Sequence, residues 1–306
     1  MFVVTYRKFW FALSAILLAL SFYGMAVYGF NYSIDFKGGT ITEARYAESR
    51  PSKDQIETEI NKLSLGGFSI RPSENDRFVI RTKELSTAEK ESLQKAVSIN
   101  GTNPVTIERQ NTIGPVAGEE LRSKALKAIL VVVIMIVLFI TFAFRKVSKP
   151  VSSWKYGLAT IIALFHDVVI PTGVFVFLGH YFGHEIDLLF VTGLLAILGY
   201  SVHDTIVVFD RVRENLRINS EKGNSEDFTI TVGKSVQQTF GRSINTSLTI
   251  FITLLALYLF GGETTKDFAL LLIVGVIAGT YSSIFVASPL LVTFQQLQKS
   301  PAKKKK

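Results

Sequence analysis

No cysteine occurs among the 306 residues, which excludes disulfide frameworks, thiolate metal sites and cysteine nucleophiles whichever side of a membrane each segment faces. The chain also lacks the phosphate-cradling GxxxxGK(S/T) loop, the zinc-binding HExxH and the nucleophile-presenting GxSxG, so nucleotide hydrolysis and the hydrolase chemistries those motifs serve have no seat in it. The sequence calls for no cofactor and does not read as an enzyme. Any work it performs must be powered by a partner or by an ion gradient. A gradient suffices in kind, since one elementary charge crossing 100 mV releases about 2.3 kcal/mol.

What is abundant is apolar surface. Hydrophobic residues make up 48% of the chain and the mean hydropathy is +0.33, too apolar and too unevenly spread for an ordinary soluble domain. Six stretches are long enough to cross a bilayer: Phe9 to Phe30, Ala125 to Phe144, Tyr156 to Leu178, Leu188 to Phe209, Ser243 to Phe260 and Phe268 to Leu291. The first follows Arg7 and Lys8, but its apolar run is too long for a secretory signal and no small-x-small site follows, so it reads as a retained anchor.

Lysine and arginine are nearly missing from one set of short connections. Spans three and four are joined without any, and spans five and six with Lys266 alone, whereas the opposite connections and the two termini hold seventeen, including Arg7, Lys8 and the closing run Lys303 to Lys306. The net charge of +8 is therefore a matter of membrane topology and not of nucleic-acid binding. The count predicts both termini in the cytoplasm and the segment between spans one and two outside. The expected organisation is residues 1–30 as N-terminus and first span, 31–124 as an outside domain, 125–291 as spans two to six, and 292–306 as a basic cytoplasmic tail.

The outside segment carries soluble-domain signals. Thr40 to Tyr46, Phe68 to Arg71, Phe78 to Arg81 and Val105 to Gln110 read as strands, with a turn over Pro72 to Asp76. Lys53 to Leu63 and Thr87 to Val97 read as helices, the first with Ile56, Ile60 and Leu63 at helical spacing, the second capped by Ser86 or Thr87 with glutamates in its first turn. The order βαββαβ predicts a ferredoxin-like α+β domain on an all-α bundle of six transmembrane helices.

Polar groups inside the spans are the candidate functional residues, because an Asp at mid-span costs roughly 2.5 to 3.5 kcal/mol on insertion scales. Span three carries His166 and Asp167, and span four His203 and Asp204. On span five Arg242, Asn245, Thr246, Thr249 and Thr253 form a polar stripe at helical spacing. Span four leaves the apolar layer at Asp210 and span five enters it near Arg242, so Asp204 and Arg242 are expected at similar depth, either as a structural ion pair or as a pair that handles an ion. His166 with Asp167 fits a packing contact as well as a proton relay. His180 and His184 at i, i+4 could hold zinc, but only Glu185 and Asp187 lie nearby, so no metal site is assigned. Gly275, Gly279 and Ser283 give span six a small-xxx-small face suited to helix packing.

These residues resemble the SecD/SecF protein-export family of the resistance-nodulation-division superfamily, over almost the whole chain. Ile34, Asp35, Phe36, Lys37, Gly38 and Gly39 are similar to its IDFxGG signature; Gly114, Pro115, Gly118, Glu119 and Leu121 approach its GPxxGxEL pattern, with Glu120 as one extra residue. The run from Gly199 and Tyr200 through Asp204 to Arg211, then Arg213, Glu214 and Asn215, is similar to GYSxNDTxVVxDRxREN, and Arg242 with Thr246 and Ser247 to RTxxTS. His203 stands where the family usually has Asn, which adds a titratable group beside the key carboxylate; Ser33 and Ser243 are smaller departures.

The resemblance implies half of a resistance-nodulation-division transporter in the bacterial inner membrane. SecD would supply the other six spans, and the pair would dock on the SecYEG channel, with YajC as a further associate and a translocating preprotein as the load. Proton or sodium flow would drive movement of the outside domain. The resemblance places ion coupling at Asp204 and Arg242, with His203, Thr246, His166 and Asp167 around them. Gly38 and Gly39 read either as a hinge or as a tight turn, with Asp35, Phe36, Gly199 and Tyr200 as further motif positions. The competing readings are a small homodimeric exporter of lipids or drugs from the same superfamily, an intramembrane aspartyl hydrolase using Asp167 and Asp204, for which Ser201, Val202 and His203 supply no GxGD-like motif, and a scaffold for the translocon.

Overall fold

A computed structural model describes residues 2–47, 50–73, 76–145, 151–223 and 226–299. Lys146, Lys149, the middle of the turn Pro72 to Asp76 and the run Lys303 to Lys306 lie outside the described residues. The chain divides into two compact units, one of residues 32–127 with 185–188, the other of residues 1–31, 128–184 and 189–306.

The first unit is an antiparallel sheet with two helices. Its strands are β1 (Gly39–Tyr46), β2 (Ser69–Ser73), β3 (Arg77–Thr82) and β4 (Val105–Ile113) in the order β2-β3-β1-β4, which is the ferredoxin-like arrangement expected of βαββαβ. β1 is central: Thr40 pairs with Thr82 on one side and Thr112 on the other. Between β1 and β2 lies a helix, Lys53–Asn61, and between β3 and β4 a second, Thr87–Val97. Each begins with a reciprocal capping box, Ser52 with Gln55 and Ser86 with Glu89, which satisfies the first-turn amides locally. Ile56, Ile60, Leu93 and Val97 cover Ala44, Tyr46, Ile70, Phe78 and Ile80 to form the core of this unit.

The IDFxGG segment is a close-packed corner of the same unit. Ser33 caps the short turn Ile34–Lys37 by accepting from the Asp35 amide at 3.1 Å. Gly38 and Gly39 have φ of 77° and 133°, a region closed to most side chains. A Cβ on Gly38 would lie 2.8 Å from the Pro115 Cα, and one on Gly39 2.5 Å from the Thr82 carbonyl. Gly118 approaches from the other side, its Cβ position 3.0 Å from the Gly38 nitrogen. The two glycine motifs thus meet backbone against backbone. Residues 185–188 complete the corner: Ser33 donates its amide to the Ile186 carbonyl at 2.9 Å, Glu185 pairs with Arg81 at 2.9 Å, and Asp35 accepts from the Leu188 amide at 3.0 Å.

The helices long and apolar enough to cross a membrane number six among the described residues. With the two sheet-unit helices as α2 and α3, they are α1 (Arg7–Tyr28), α4 (Pro115–Ala143), α5 (Ser153–Phe182), α6 (Leu188–Glu221), α7 (Phe228–Phe260) and a last span that begins as α8 (Glu263–Ser282), passes through a π-helical turn at Ser283–Ala287 and ends as α9 (Ser288–Lys299). α6 runs twelve residues past the expected Phe209, and α7 starts fifteen before the expected Ser243. These extensions are amphipathic, so a hydropathy window loses them: Val212, Phe228, Val232 and Val236 are buried, while Asn215 reaches Ser235 and Gln238 at 2.8 and 2.9 Å. Asp227 caps α7 by accepting from the Thr229 amide at 2.8 Å. α5, α6 and the last span are more than half buried, whereas α1, α4 and α7 expose most of their apolar length.

Candidate functional site

Two carboxylates are buried within the helical unit, Asp167 at 0% and Asp204 at 5% exposure. Each is held by serine hydroxyls from other helices. Asp167, in the middle of α5, accepts from Ser201 of α6 and from Ser282 of α8, the latter at 2.6 Å. His166 beside it is equally buried and brings Nδ1 within 2.8 Å of the second carboxylate oxygen. The His166 ring stacks on Tyr281 with 5.6 Å between centroids, and its Nε2 has no partner. Pro171, four residues along α5, has no N–H to offer the Asp167 carbonyl, so that carbonyl lacks its helical donor where the dyad sits.

Asp204 lies one turn beyond Ser201 on α6. It accepts from Ser243 of α7 at 2.7 Å and from Ser283, the first residue of the π-helical turn. Ser282 and Ser283 therefore serve one carboxylate each, from adjacent positions. Next to them Tyr200 OH lies 2.6 Å from Ser247 Oγ, which lies 2.6 Å from Thr280 Oγ1. The result is a continuous layer of hydroxyls and two acids joining α5, α6, α7 and α8 in an otherwise apolar bundle. Beside that layer a cavity of about 320 Å³ is lined by Ser247 and Thr280 at its polar end and by Ile244, Phe251, Ile277 and Phe285 elsewhere.

The expected proximity of Asp204 and Arg242 is corrected in its chemistry. The two sit at one level, since Ser243 is the residue after Arg242, but Asp204 faces inward to serines while Arg242 is exposed and makes no ion pair among the described residues. Helical geometry explains this: neighbours on a helix point about 100° apart, so the buried Ser243 turns Arg242 away. Asn245, Thr246, Thr249 and Thr253 are exposed as well. The stripe read from the sequence is real but points out of the chain. His203 is likewise exposed. Gly199 is exposed with open space where a Cβ would be, and Phe36 is buried in the sheet-unit corner.

A second stripe on α7 was not read from the sequence. Thr231, Ser235, Thr239, Ser243 and Ser247 recur every four residues and are all buried. Ser235, Thr239 and Ser247 each donate to the carbonyl four residues back, whereas Thr231 turns its hydroxyl to Glu226 at the start of the helix and Ser243 to the buried Asp204. Strict spacing of four by small hydroxyl residues is the signal that finds it. Ser282 carries no periodic signal, and Ser283 reads from the sequence only as the third member of the packing face Gly275, Gly279 and Ser283.

At the far ends of the bundle, His184 pairs with Asp267 at 2.6 Å and His180 stacks on Tyr28. The two histidines are engaged separately, and no group of three metal-binding side chains occurs among the described residues.

Comparison with known proteins places this arrangement. The model of the protein export membrane protein SecD/SecF, C-terminal, matches residues 93–297, and that of the SecD/SecF GG motif residues 23–49. A protein translocase subunit SecF of Thermobaculum terrenum is 38% identical over 96% of this chain and 93% of its own length. A protein translocase subunit SecDF of Brucella abortus is 33% identical over 87% of this chain, which spans 33% of that longer protein. The crystal structure of SecDF, a translocon-associated membrane protein from Thermus thermophilus, superposes with a TM-score of 0.80 at 34% identity, covering 96% of this chain and 38% of that one. On the family match across two thirds of its length, and on relatives that align from end to end, the chain belongs to the SecD/SecF family of protein-export membrane proteins.

Proposed function

We propose that this chain is the SecF-type half of a protein translocase that pairs with SecD, docks on the SecYEG channel in the bacterial inner membrane and uses the proton or sodium motive force to draw a preprotein across. Both termini are cytoplasmic and the sheet unit lies outside in this reading, as the distribution of Lys and Arg suggests. YajC is a further associate.

The observation that carries the ion-coupling part is the setting of Asp204. It is buried within the bundle, its contacts are neutral hydroxyls, and no cation among the described residues reaches it. An uncompensated charge in such a place costs several kcal/mol. A carboxylate of this kind is neutralised by taking up a proton or a small cation and charged again on releasing it, which is the chemistry a gradient-driven machine needs. The exposed stripe Arg242, Asn245, Thr246, Thr249 and Thr253 supports a partner, because an arginine and four polar side chains facing lipid are unfavourable until another chain covers them. SecD is that partner in this reading.

The test is export into membrane vesicles with and without an imposed gradient. Asp204→Asn is expected to co-purify with SecD and to leave ATP-driven translocation intact, while gradient-dependent stimulation falls to the level seen without a gradient. Arg242→Lys should retain more activity than Arg242→Met, because a charge remains although the planar fork is lost. Unmodified gradient dependence in Asp204→Asn would make the carboxylate structural. Recovery from the native membrane only as a homodimer would favour a small exporter of lipids or drugs.

A further inference from the structure

The tandem serines at the start of the π-helical turn offer each acid a partner with two alternatives. Ser282 Oγ lies 2.6 Å from an Asp167 oxygen and 3.1 Å from the Gly279 carbonyl. Ser283 Oγ contacts an Asp204 oxygen and lies 3.0 Å from the Thr280 carbonyl. A serine has one hydrogen and can donate it to one of these at a time. While the carboxylate is ionised the hydrogen belongs to it. When the acid takes up a proton, its new O–H can donate to the serine oxygen, and the serine hydrogen turns to the carbonyl three residues back. No covalent bond in the chain breaks; one proton arrives and one hydrogen bond changes acceptor.

Both switches end on the same turn of helix. Gly279 O also accepts the backbone N–H of Ser283, so the group that Ser282 would release from Asp167 competes for the carbonyl that fixes the residue holding Asp204. Ser288 Oγ reaches the Ser283 carbonyl across five residues at 2.9 Å, and single π-helical turns of this kind recur at functional sites. We infer that Ser282 and Ser283 couple the protonation of two buried acids, making Asp167 a second proton-carrying group that responds to the state of Asp204. This rests on the proposed ion-coupling function and adds to it the positioning residues that link the two acids.

The other titratable and charged groups near the pair are accounted for. His166 faces Asp167 on α5. Tyr281 on α8 stacks on His166, donates to the Trp10 carbonyl at 2.8 Å and lies 3.1 Å from Ser14. Tyr200 on α6 is engaged by Ser247 and Thr280. Arg242 on α7 and His203 on α6 are exposed. None of these touches both acids; among the described residues only the serine pair does so from adjacent positions.

The experiment is a pH titration of the carboxyl C=O stretch by infrared difference spectroscopy on the purified full chain, with Asp167→Asn and Asp204→Asn to assign the bands. The quantity read is the shift in the Asp167 midpoint caused by Asp204→Asn. It is expected to correspond to at least about a four-fold change in proton affinity, roughly 0.6 pH unit, and to shrink at least two-fold when measured in a Ser283→Ala background. Ser282→Ala should shrink it likewise, and Ser283→Thr, which keeps a hydroxyl, should restore it. A shift of undiminished size in both alanine variants would mean that the acids sense each other through space alone and would overturn the proposal, as would the absence of any shift on Asp204→Asn with both serines in place. These outcomes are independent of the export assay, so a failure of coupling and a failure of gradient-driven transport are separately visible.

Discussion

The two units solve the same problem, a carboxylate or amide that needs partners, by opposite means. In the sheet unit the partners are three residues away: Ser52 with Gln55 and Ser86 with Glu89 close their capping boxes within one turn and in contact with water. In the helical unit Asp167 is served by residues 34 and 115 positions distant, and Asp204 by residues 39 and 79 distant. Water can replace a lost partner in the first unit. In the second nothing can, since burial has removed it. The sheet unit is therefore tolerant at its polar positions, while the helical unit concentrates its cost, and its capacity to respond to a proton, in a few side chains.

The sharpest way to break this contrast is to remove one buried acid. Asp167→Ala leaves the Ser201 hydroxyl and His166 Nδ1 without their partner in a dry interior, at about 1–3 kcal/mol for each unpaired group, while Ser282 can still donate to the Gly279 carbonyl. A loss on the order of 3 kcal/mol is expected, read as a lower unfolding midpoint of the purified chain in detergent, with Asp167→Asn well below that because an amide oxygen still accepts. Ser52→Ala in the sheet unit should cost only about 1 kcal/mol, the ordinary value of an exposed cap. Equal losses from Asp167→Ala and Ser52→Ala would show that the interior is wetter than its burial indicates.

Smaller effects are expected on the outer face of α7. Thr246→Val with Thr249→Val should change the stability of the isolated chain by less than about 0.5 kcal/mol, as for surface positions, the Thr249 hydroxyl donating only to the Thr246 carbonyl of its own helix. The same double variant should weaken recovery with SecD about five-fold, since interhelical hydrogen bonds in membranes are worth about 0.6 kcal/mol each. The inner-face change Ser243→Val should do the reverse, lowering stability with little effect on recovery. Competitive co-purification against the unmodified chain measures both.

How much of this was open to sequence reading follows from the same contrast. Strand order, both sheet-unit helices and the Ser86 cap were legible because alternation, helical spacing and capping are local. The six spans were legible for the same reason. The facing of the polar stripe was not: periodicity shows that Arg242, Asn245, Thr246, Thr249 and Thr253 share a side, yet inside and outside look alike to it. Ser243 and Ser247, one residue on from Arg242 and Thr246, are the buried members. Asp167 and Asp204 were found because charge in a span is conspicuous, whereas Ser282 was passed over and Ser283 was read only as a small packing residue after Gly275 and Gly279, because serines in a helix are not. Only the third dimension reveals that they face the acids.

The motif aspartate tests the border case, a sheet-unit carboxylate with a distant partner. Asp35 accepts from the amide of Leu188, the first residue of α6, and so acts as an N-cap supplied from 153 positions away. Asp35→Ala should cost about 1 kcal/mol and speed hydrogen exchange in the first turn of α6, with Asp35→Asn within a few tenths of the unmodified chain. Unchanged exchange in Asp35→Ala would mean that Asp187 or solvent replaces it.

The smallest effect belongs to Glu89 and depends on pH. Its carboxyl is held down to about 2 from the usual 4.5, first by the Ser86 amide, then by Lys83 and the Ser86 hydroxyl. A carboxyl whose folded value lies below its unfolded one adds stability that is present above the unfolded value and lost as pH falls toward the folded one. The first turn of α3 should therefore loosen between about pH 4.5 and 2, read as faster amide exchange at Ala88 to Glu91. Glu89→Gln keeps an acceptor for the Ser86 amide but has no charge to lose, so its exchange should be flat across that window once intrinsic rates are removed. Because Glu89 is exposed, the effect should also shrink as salt is added. If Glu89→Gln kept the full pH dependence, another acid would be responsible; if salt left it unchanged, the cap would be drier than its position at the surface allows.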